Sequence, residues 1–221
     1  MELAHHRLQA DSITIQYGTN SVISGGFLQA ETGQITGLLG RNGNGKSSLL
    51  KAIFGIIKAK YKTIKVDGEW ISDLQSRSGM AAYLPQNNFV PQSFKIKMIF
   101  ELYGTDFSLL IKQFPELEKV YNQEIGSLSG GERRLVETLL VLCRPVKFVF
   151  LDEPFSHLSP ITVERLREII QQEKQYKGIV LTDHLYRHIT SLSDNLYLLA
   201  HQRTFLIKER DDLIRWGYLG E

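Results

Sequence analysis

A short apolar stretch that runs into a cluster of glycines limits what this chain can fold into. Residues 34–39 predict a strand, and residues 40–48 then read GRNGNGKSS, which fits G-x-x-x-x-G-K-[ST] at every fixed position. The segment Lys46–Phe54 predicts a helix, and Gly55 is well placed to end it. A strand, a glycine-rich turn and a helix in this order predict a loop that wraps around phosphate groups.

The residue types in this loop suit phosphate binding. Glycines let the backbone curl so that several N–H groups point inward, and the positive end of the following helix faces the same phosphates. The Lys46 ammonium is predicted to contact the terminal phosphates of a nucleotide, and the Ser47 hydroxyl to ligate Mg²⁺. A glycine-rich turn with a chance lysine is the alternative. The predicted nucleotide-binding residues of the loop are Gly40, Arg41, Asn42, Gly43, Asn44, Gly45, Lys46, Ser47 and Ser48.

Two further apolar stretches end in reactive residues. Residues 147–151 lead into Asp152 and Glu153, and residues 178–181 lead to His184. Uninterrupted apolar strands that alternate with helices predict a parallel sheet covered on both faces. Ligands bind at the carboxyl ends of the strands in such sheets. We therefore expect one shared site at these strand ends.

Five side chains near strand ends are candidates for metal binding, catalysis or nucleotide binding. Asp152 is predicted to bind Mg²⁺, because hard cations prefer oxygen ligands, and Glu153 to orient and deprotonate the attacking water. Gln86 is predicted to contact the metal and that water, and His184 to contact the γ-phosphate. Tyr17 is predicted to stack on an adenine ring. The alternatives, in the same order, are an acidic helix entrance for the two carboxylates, a polar loop residue for Gln86, a buried hydrogen-bonded histidine for His184 and an exposed strand aromatic for Tyr17.

The sequence LSGGE over residues 128–132 precedes a predicted helix. Locally it is a capping box, in which Ser129 caps the helix and Glu132 reaches back. A capping box does not account for two consecutive glycines, Gly130 and Gly131. Bare N–H groups at a helix start can bind phosphate. Because the segment lies 83 residues from Lys46, it need not serve the same nucleotide within one chain.

With these segments in this order, the chain resembles the ATP-binding cassette ATPases, the nucleotide-binding subunits of ABC transporters. The resemblance covers essentially the whole chain and rests on six features: Tyr17, GRNGNGKSS, Gln86, LSGGE, FVFLDE and the histidine of TDH. It implies ATP and Mg²⁺ as cofactors, with Lys46, Gln86, Glu153 and His184 as catalytic residues and Ser47, Gln86 and Asp152 at the metal. It also implies that two cassettes enclose two ATP molecules, each between one phosphate loop and the partner's Ser129, Gly130 and Gly131.

One position departs from the family pattern. The family usually has an aspartate where this chain has Ser159, four residues after Phe155. Ser159 followed by Pro160 makes a good helix start, so the local structure is expected to survive. The communication between two ATP sites that the aspartate assists in relatives is the property that this serine puts in doubt.

The predicted fold class is α/β. It consists of a P-loop NTPase core, with a mixed sheet, helices on both faces and an N-terminal antiparallel β subdomain, and of an inserted helical subdomain. Residues 1–86 and 145–221 are expected to form the nucleotide-binding core, and residues 87–144 the helical subdomain. Within the core, residues 8–17 and 21–31 predict antiparallel strands, and Asp67-Gly68 predicts a hairpin turn.

The resemblance also implies partners and a location. Membrane-spanning transporter subunits would bind this chain, and a second ABC ATPase would complete a homodimer or a heterodimer. The location implied is cytoplasmic, peripheral on the inner face of the cell membrane through the partner subunits. The competing hypotheses are a soluble ABC ATPase of iron–sulfur assembly or another non-transport process, and a P-loop kinase, which does not explain LSGGE.

Composition gives no support to a nucleic-acid partner. Lys and Arg total 26 against 24 Asp and Glu, a net charge of +2, so no large basic excess indicates a nucleic-acid partner and none is expected. The single cysteine, Cys143, allows no internal disulfide. The sequence contains no visible signal peptide and no apolar run near the ~20 residues of a spanning helix.

Overall fold

The computed structural model describes residues 5–220, apart from the side chain of Leu109, as two sheets with helices packed around them. The strands are β1 (Arg7–Tyr17), β2 (Asn20–Glu31), β3 (Ile35–Leu39), β4 (Tyr61–Val66), β5 (Glu69–Ile71), β6 (Ala81–Leu84), β7 (Phe148–Asp152), β8 (Gly178–Thr182), β9 (Asn195–Ala200) and β10 (Arg203–Ile207). The α-helices are α1 (Lys46–Phe54), α2 (Ile96–Tyr103), α3 (Phe107–Gln113), α4 (Gly130–Leu142), α5 (Pro160–Glu173), α6 (Tyr186–Leu192) and α7 (Arg210–Arg215). Two short 3₁₀ segments lie at Pro115–Val120 and Ile125–Ser127.

The two sheets differ in strand direction. The six-stranded sheet has the order β10-β9-β3-β8-β7-β6; it is parallel from β9 to β6, and β10 pairs antiparallel with β9. The four-stranded sheet has the order β2-β1-β4-β5 and is antiparallel. This mixed α/β architecture confirms the predicted fold class, including the antiparallel N-terminal part.

The six-stranded sheet is covered on both faces, and successive strand residues point to opposite sides. In β7, Phe148 and Phe150 belong to a core cluster with α1 and the antiparallel sheet. Val149 and Leu151 belong to a second cluster that contains α4 and α5. All five residues of β7 are buried, as are those of β3 and β8. Burial on both sides explains why these strands are uninterrupted apolar runs.

Several local predictions are confirmed because the responsible residues act within a few positions. Helix α1 ends at Gly55, which has φ +109° and caps with its N–H on the Lys51 carbonyl. The Asp67-Gly68 turn joins β4 to β5 with positive φ at both residues. Helix α5 begins at Pro160 after Ser159, whose side chain accepts a hydrogen bond from the Thr162 N–H.

The first part of the predicted helical subdomain consists of several short helices rather than one long helix. Gly104 ends α2 in the left-handed region with φ +65°, and after α3 a 3₁₀ segment begins at Pro115, with one residue between them. The buried aromatics Phe100, Phe107 and Phe114 pack in the same cluster as the large sheet. The division into a core of residues 1–86 and 145–221 and a subdomain of residues 87–144 stays a prediction.

Candidate functional site

The predicted residues follow the carboxyl ends of four strands that lie side by side. In the order β3-β8-β7-β6, the segments that follow these strands carry the phosphate loop (residues 40–48), His184, Glu153 and Gln86, respectively. Because parallel strands end at the same edge of a sheet, positions far apart in the chain meet there.

One cavity of about 440 Å³ lies at this edge. Its lining contains residues from each of the four strand ends, so the structure brings together most of the predicted site. The lining residues are Asn42, Gly43, Gly45, Lys46, Ser47, Ser48, Gln86, Glu153 and His184.

The phosphate loop is held by contacts within the chain. The Lys46 ammonium donates to the Gly40 carbonyl oxygen at 2.8 Å, and the lysine is only 7% exposed. Burial lowers the pKa of Lys46, and the carboxylates of Glu153, Asp152 and Asp183 oppose this effect. The lysine is therefore a buried cation whose hydrogen-bond acceptor is a main-chain carbonyl, which an incoming anion can replace.

Glycine is required at the last loop position before the helix. Gly45 has φ +99°, and a Cβ there would lie 2.6 Å from a methyl carbon of Val22. As the N-cap of α1, Gly45 offers no side chain to the first N–H groups of the helix. These donors are left for a ligand, which is the arrangement that an anion site at a helix start needs.

Asp152 lies at the end of β7 with both carboxylate oxygens hydrogen-bonded. The Ser47 hydroxyl donates to Oδ1 at 3.0 Å, and the Tyr83 hydroxyl donates to Oδ2 at 2.9 Å. Burial raises the pKa of Asp152, and the two hydroxyl donors partly oppose this rise. Burial and the Asp152 charge together raise the pKa of Tyr83 above its ordinary value. Tyr83 therefore stays a neutral donor to the carboxylate.

Glu153 has an unusual backbone conformation. Its φ is +56°, in the left-handed region that a residue with a side chain seldom adopts. Its N–H donates to the Thr182 carbonyl at 2.8 Å, and the Ser156 hydroxyl donates to Oε2 at 3.3 Å. Strained residues of this kind cluster at functional sites. The conformation turns Glu153 into the cavity, whereas the preceding Asp152 is bonded to the phosphate loop.

His184 is half exposed at the edge of the cavity. Its Nδ1 lies 3.1 Å from Oδ1 of Asp183, and its side chain is 49% exposed. Asp183 is fixed in turn, because it accepts hydrogen bonds from the N–H groups of Phe155 and Leu185. The alternative of a buried histidine is therefore wrong.

Some predicted loop residues face elsewhere. Arg41 and Asn44 line a second cavity of about 370 Å³ on another side of the loop, with Trp216 among its walls. The Arg41 guanidinium donates to the Gly217 carbonyl at 2.8 Å. Tyr17 is 54% exposed, and its hydroxyl lies 3.4 Å from the Ser48 Oγ. Tyr17 is thus next to the loop without lining the cavity.

The signature turn, Ser129–Gly130–Gly131, is also absent from the lining of this cavity. Ser129 and Glu132 form the predicted capping box: the Ser129 N–H donates to the Glu132 carboxylate at 2.9 Å, and the Ser129 Oγ accepts from the Glu132 N–H at 3.3 Å. A Cβ on Gly131 would lie 2.6 Å from the His157 carbonyl oxygen, whereas a Cβ on Gly130 would meet no atom of the described residues within 4 Å. Packing within the chain explains Gly131 and leaves Gly130 unexplained.

The oxygen donors at the loop fit a magnesium ion. Mg²⁺ in nucleotide sites takes one or two protein ligands, while phosphates and water complete the shell. Ser47 and Asp152 are already in contact, and Gln86 lines the same cavity. Within residues 5–220, no cluster of three or more His, Cys, Asp or Glu side chains could hold a metal by itself. A metal at this site would therefore take some of its ligands from the chain and the others from the nucleotide's phosphates and water.

Sequence reasoning missed two residues that contact the site. Tyr83 lies in the middle of β6, and its sequence neighbours give no sign of the hydroxyl contact with Asp152. Arg134 lies in α4 and donates to the carbonyl oxygens of Asp152 and Glu153. For Arg134 the sequence does carry a signal, because this arginine directly precedes the mostly apolar part of α4. An arginine in such a position is seldom buried without a set of hydrogen-bond acceptors.

Comparison with known proteins assigns the family. The family model described as ABC transporter matches residues 24–156, more than half of the chain. The chain therefore belongs to the ABC transporter family. It is an ATPase of that family, and ATP hydrolysis drives transport. The iron–sulfur assembly alternative is not favoured.

The similar proteins span nearly the whole chain. The lipopolysaccharide export system ATP-binding protein LptB of Escherichia coli K12 is 30% identical over 237 residues, which cover 97% of each chain. The high-affinity branched-chain amino acid transport ATP-binding protein BraG of Pseudomonas aeruginosa is 27% identical over 209 residues, covering 89% of this chain and 90% of BraG. A solved ATP-binding subunit of an ABC transporter has the same fold, with a TM-score of 0.82 at 22% identity over 97% of this chain and 95% of the other. Among residues 5–220, no helix has the length and apolar character to cross a membrane.

Proposed function

We propose that the cavity of about 440 Å³ holds the phosphates of ATP and is the place of hydrolysis. The observation that carries this proposal is that the phosphate loop, Gln86, Glu153 and His184 line one cavity, although they follow four different strands. On ATP binding, the Lys46 ammonium would exchange the Gly40 carbonyl for the terminal phosphates, since a phosphate is the stronger acceptor. The backbone N–H groups at the start of α1 would donate to the same phosphates.

Glu153 is the proposed general base. It would accept a proton from the water that attacks the γ-phosphate, while the Gln86 amide and the His184 ring hold the water and the γ-phosphate in place. The fixed main chain of Glu153 supports this role, because proton transfer needs a base at a defined distance. Tyr17 would stack on the adenine ring, and its exposed ring beside Ser48 supports that contact.

We also propose that Mg²⁺ binds with ATP at Ser47 and Asp152, with Gln86 as a further oxygen donor. Bound Mg²⁺ would neutralise part of the phosphate charge. The hydroxyl of Ser47 and the carboxylate of Asp152 already share a hydrogen bond, so the two donors are close enough to serve one ion. Tyr83 would keep the second carboxylate oxygen in position.

A second cassette would complete the site. The signature turn lies outside the cavity of its own chain, and Gly130 borders open space that packing does not explain. We propose that this turn binds the ATP held by a partner copy, or by a related cassette, through the N–H groups at the start of α4. Closure on ATP and opening after hydrolysis would then form a two-state cycle driven by the ligand.

The dimer proposal can be tested with a slowly hydrolysing protein. Glu153→Gln with Mg·ATP is expected to sediment as a dimer, and with Mg·ADP as a monomer. Adding Gly130→Glu should abolish the ATP-dependent dimer, because the side chain fits the open space of the monomer but brings a negative charge to the partner's phosphates. An ATP-dependent dimer that forms equally well with Gly130→Glu would contradict the role of the signature turn.

Membrane-spanning transporter subunits are the proposed partners, and the inner face of the cell membrane is the proposed location. The relatives named above serve lipopolysaccharide export and branched-chain amino acid transport, so similar cassettes work with different cargo. We therefore assign cargo recognition to the membrane-spanning partner. In membrane vesicles, added protease should cleave the chain only when the inner face points outward; cleavage in right-side-out vesicles would contradict this location.

A further inference from the structure

Arg134 is a buried arginine whose guanidinium contacts the main chain beside the proposed active site. It lies in α4, five positions after Ser129, and is 2% exposed. Nε and Nη2 donate to the Glu153 carbonyl at 3.1 and 2.9 Å, and Nη2 also donates to the Asp152 carbonyl. Nη1 donates to the Pro85 carbonyl at 2.8 Å.

These four hydrogen bonds all go to main-chain carbonyls. A buried charge is costly unless it is hydrogen-bonded, and the planar guanidinium can bond several carbonyls at once in a fixed geometry. The bonds therefore fix the positions of two separate segments, one at the end of β7 and one after β6. Pro85 directly precedes Gln86, and Glu153 lines the same cavity as Gln86.

The main chain of Glu153 is held on both sides. Its N–H donates to the Thr182 carbonyl, and its carbonyl accepts from Arg134. With φ at +56°, Glu153 is in a conformation that persists only when surrounding contacts impose it. If the Arg134 contact were lost, the peptide after Glu153 could rotate toward a more favourable conformation and move the carboxylate.

We infer that Arg134 is a positioning residue for ATP hydrolysis, which fixes the main chain of Glu153 against the segment that carries Gln86. The inference rests on the proposed role of Glu153 as general base. Arg134 acts through Glu153 and does not contact the nucleotide. Because α4 begins at the signature turn, the same helix that would bind a partner's ATP also holds the base of its own site.

Arg134→Lys tests this inference, because lysine keeps the charge but cannot bond three carbonyls in one plane. We expect kcat to fall roughly tenfold to a hundredfold, since small misplacements of catalytic groups have effects of this size. The KM for ATP and the Kd for a non-hydrolysable ATP analogue are expected to change less than about threefold, because the phosphate loop is untouched. Unchanged kcat, or a raised KM with unchanged kcat, would overturn the inference.

Arg133→Lys is the matched control. Arg133 precedes Arg134 in α4, is 9% exposed, and donates to the Glu137 carboxylate and the Val90 carbonyl. The Arg133→Lys variant therefore loses buried guanidinium hydrogen bonds on the same helix, none of which involves Glu153. Its kcat is expected to stay within about threefold of the parent protein. An equal fall in both variants would show a general effect of buried arginines on α4 and overturn the inference.

A double substitution separates this inference from the proposed function. In a Glu153→Gln background, single-turnover hydrolysis should fall less than about threefold on adding Arg134→Lys, because the group that Arg134 positions is already lost. A full additional tenfold fall would mean that Arg134 acts mainly through the Pro85–Gln86 segment rather than through Glu153, and would overturn the inference. If Glu153→Gln alone kept parental turnover, the base assignment itself would fail, whatever Arg134→Lys does.

Discussion

The phosphate loop and the signature turn are both glycine-containing helix starts, but the chain uses them differently. Helix α1 has Gly45 as its N-cap and no side-chain cap, so its first N–H groups stay available. Helix α4 has Ser129 as its N-cap, and the capping box satisfies part of that helix start within the chain. The phosphate loop opens on a cavity shared with Glu153, whereas Gly130 opens on space that the described residues do not fill.

The difference shows how much of a site one chain can complete. The phosphate loop has its cation, its acidic partner and the proposed base within the same molecule. The signature turn has a stable local structure and a glycine without a packing reason. The surroundings of the phosphate loop are explained within the chain, whereas Gly130 of the signature turn is not. The signature turn is therefore the surface that we propose acts on a second molecule.

The largest expected effect concerns the half that the chain completes itself. Glu153→Gln should lower ATP turnover by ~10²–10⁴, the usual result of removing a general base, while ATP still binds. Steady-state phosphate release and equilibrium nucleotide binding measure the two properties. Glu164→Gln, on the exposed face of α5, is the control and should keep parental turnover. Parental turnover in Glu153→Gln would remove Glu153 from its role.

The next effect concerns nucleotide affinity at the phosphate loop. Lys46→Ala should weaken ATP binding roughly tenfold to a hundredfold, because a hydrogen bond to a charged group contributes about 1.5–3 kcal/mol. Isothermal titration with Mg·ATP gives the Kd directly. Lys58→Ala removes an exposed lysine near the same helix and is expected to leave the Kd unchanged. An unchanged Kd in Lys46→Ala would count against the phosphate contact.

Substitutions at the two glycines of the signature turn should differ in their effect on stability. Gly131→Ala should lower the free energy of unfolding by about 1–3 kcal/mol, because the new Cβ would lie 2.6 Å from the His157 carbonyl oxygen. Gly130→Ala should leave the free energy of unfolding within about 0.5 kcal/mol of the parent, since nothing lies within 4 Å.

The same pair is then compared in ATPase assays at saturating ATP. Gly130→Ala should lose activity despite its parental stability, because the added methyl group enters the space proposed for the partner's nucleotide. Denaturant unfolding and steady-state turnover are measured on the same preparations. Full activity in Gly130→Ala would indicate that the open space at Gly130 has no function.

The smallest expected effect is a gain in thermal stability. Burial raises the pKa of Asp152, so its ionised form destabilises the folded state above that pKa. Asp152→Asn removes this charge and should raise the Tm of the nucleotide-free protein by a few degrees near neutral pH, although hydrolysis is lost. The gain should shrink as the pH falls through the raised pKa, because Asp152 itself then becomes neutral. A lower Tm at neutral pH would contradict the stated cost of the charge.

Local patterns predicted much of the fold and of the site. The glycine cluster between β3 and α1, the capping box at Ser129 and the helix start at Ser159 depend on neighbours within a few residues, and each forms as predicted. The parallel sheet was predicted because uninterrupted apolar strands alternate with helices, a pattern typical of strands buried on both faces. This order is what brings Gln86, Glu153 and the phosphate loop to one cavity.

The contacts that were not predicted depend on tertiary structure. Tyr83 is 69 positions from Asp152, and Arg134 is 49 positions from Pro85, so no local pattern links them. Gly131 differs from Gly130 only because the turn at His157 packs against it. Such differences arise when separate elements meet, and a single sequence carries no periodic signal for them.

The hydrogen bond from Tyr83 to Asp152 gives this protein a natural optical reporter. A phenol absorbs differently when the carboxylate that accepts its hydrogen bond also binds a cation, and Tyr83 is the phenol in that contact. Subtracting the ultraviolet spectrum of Tyr83→Phe from that of the parent would isolate its signal from the other tyrosines. Arrival of a divalent ion at the end of β7 could then be followed in real time, without a label and apart from phosphate release.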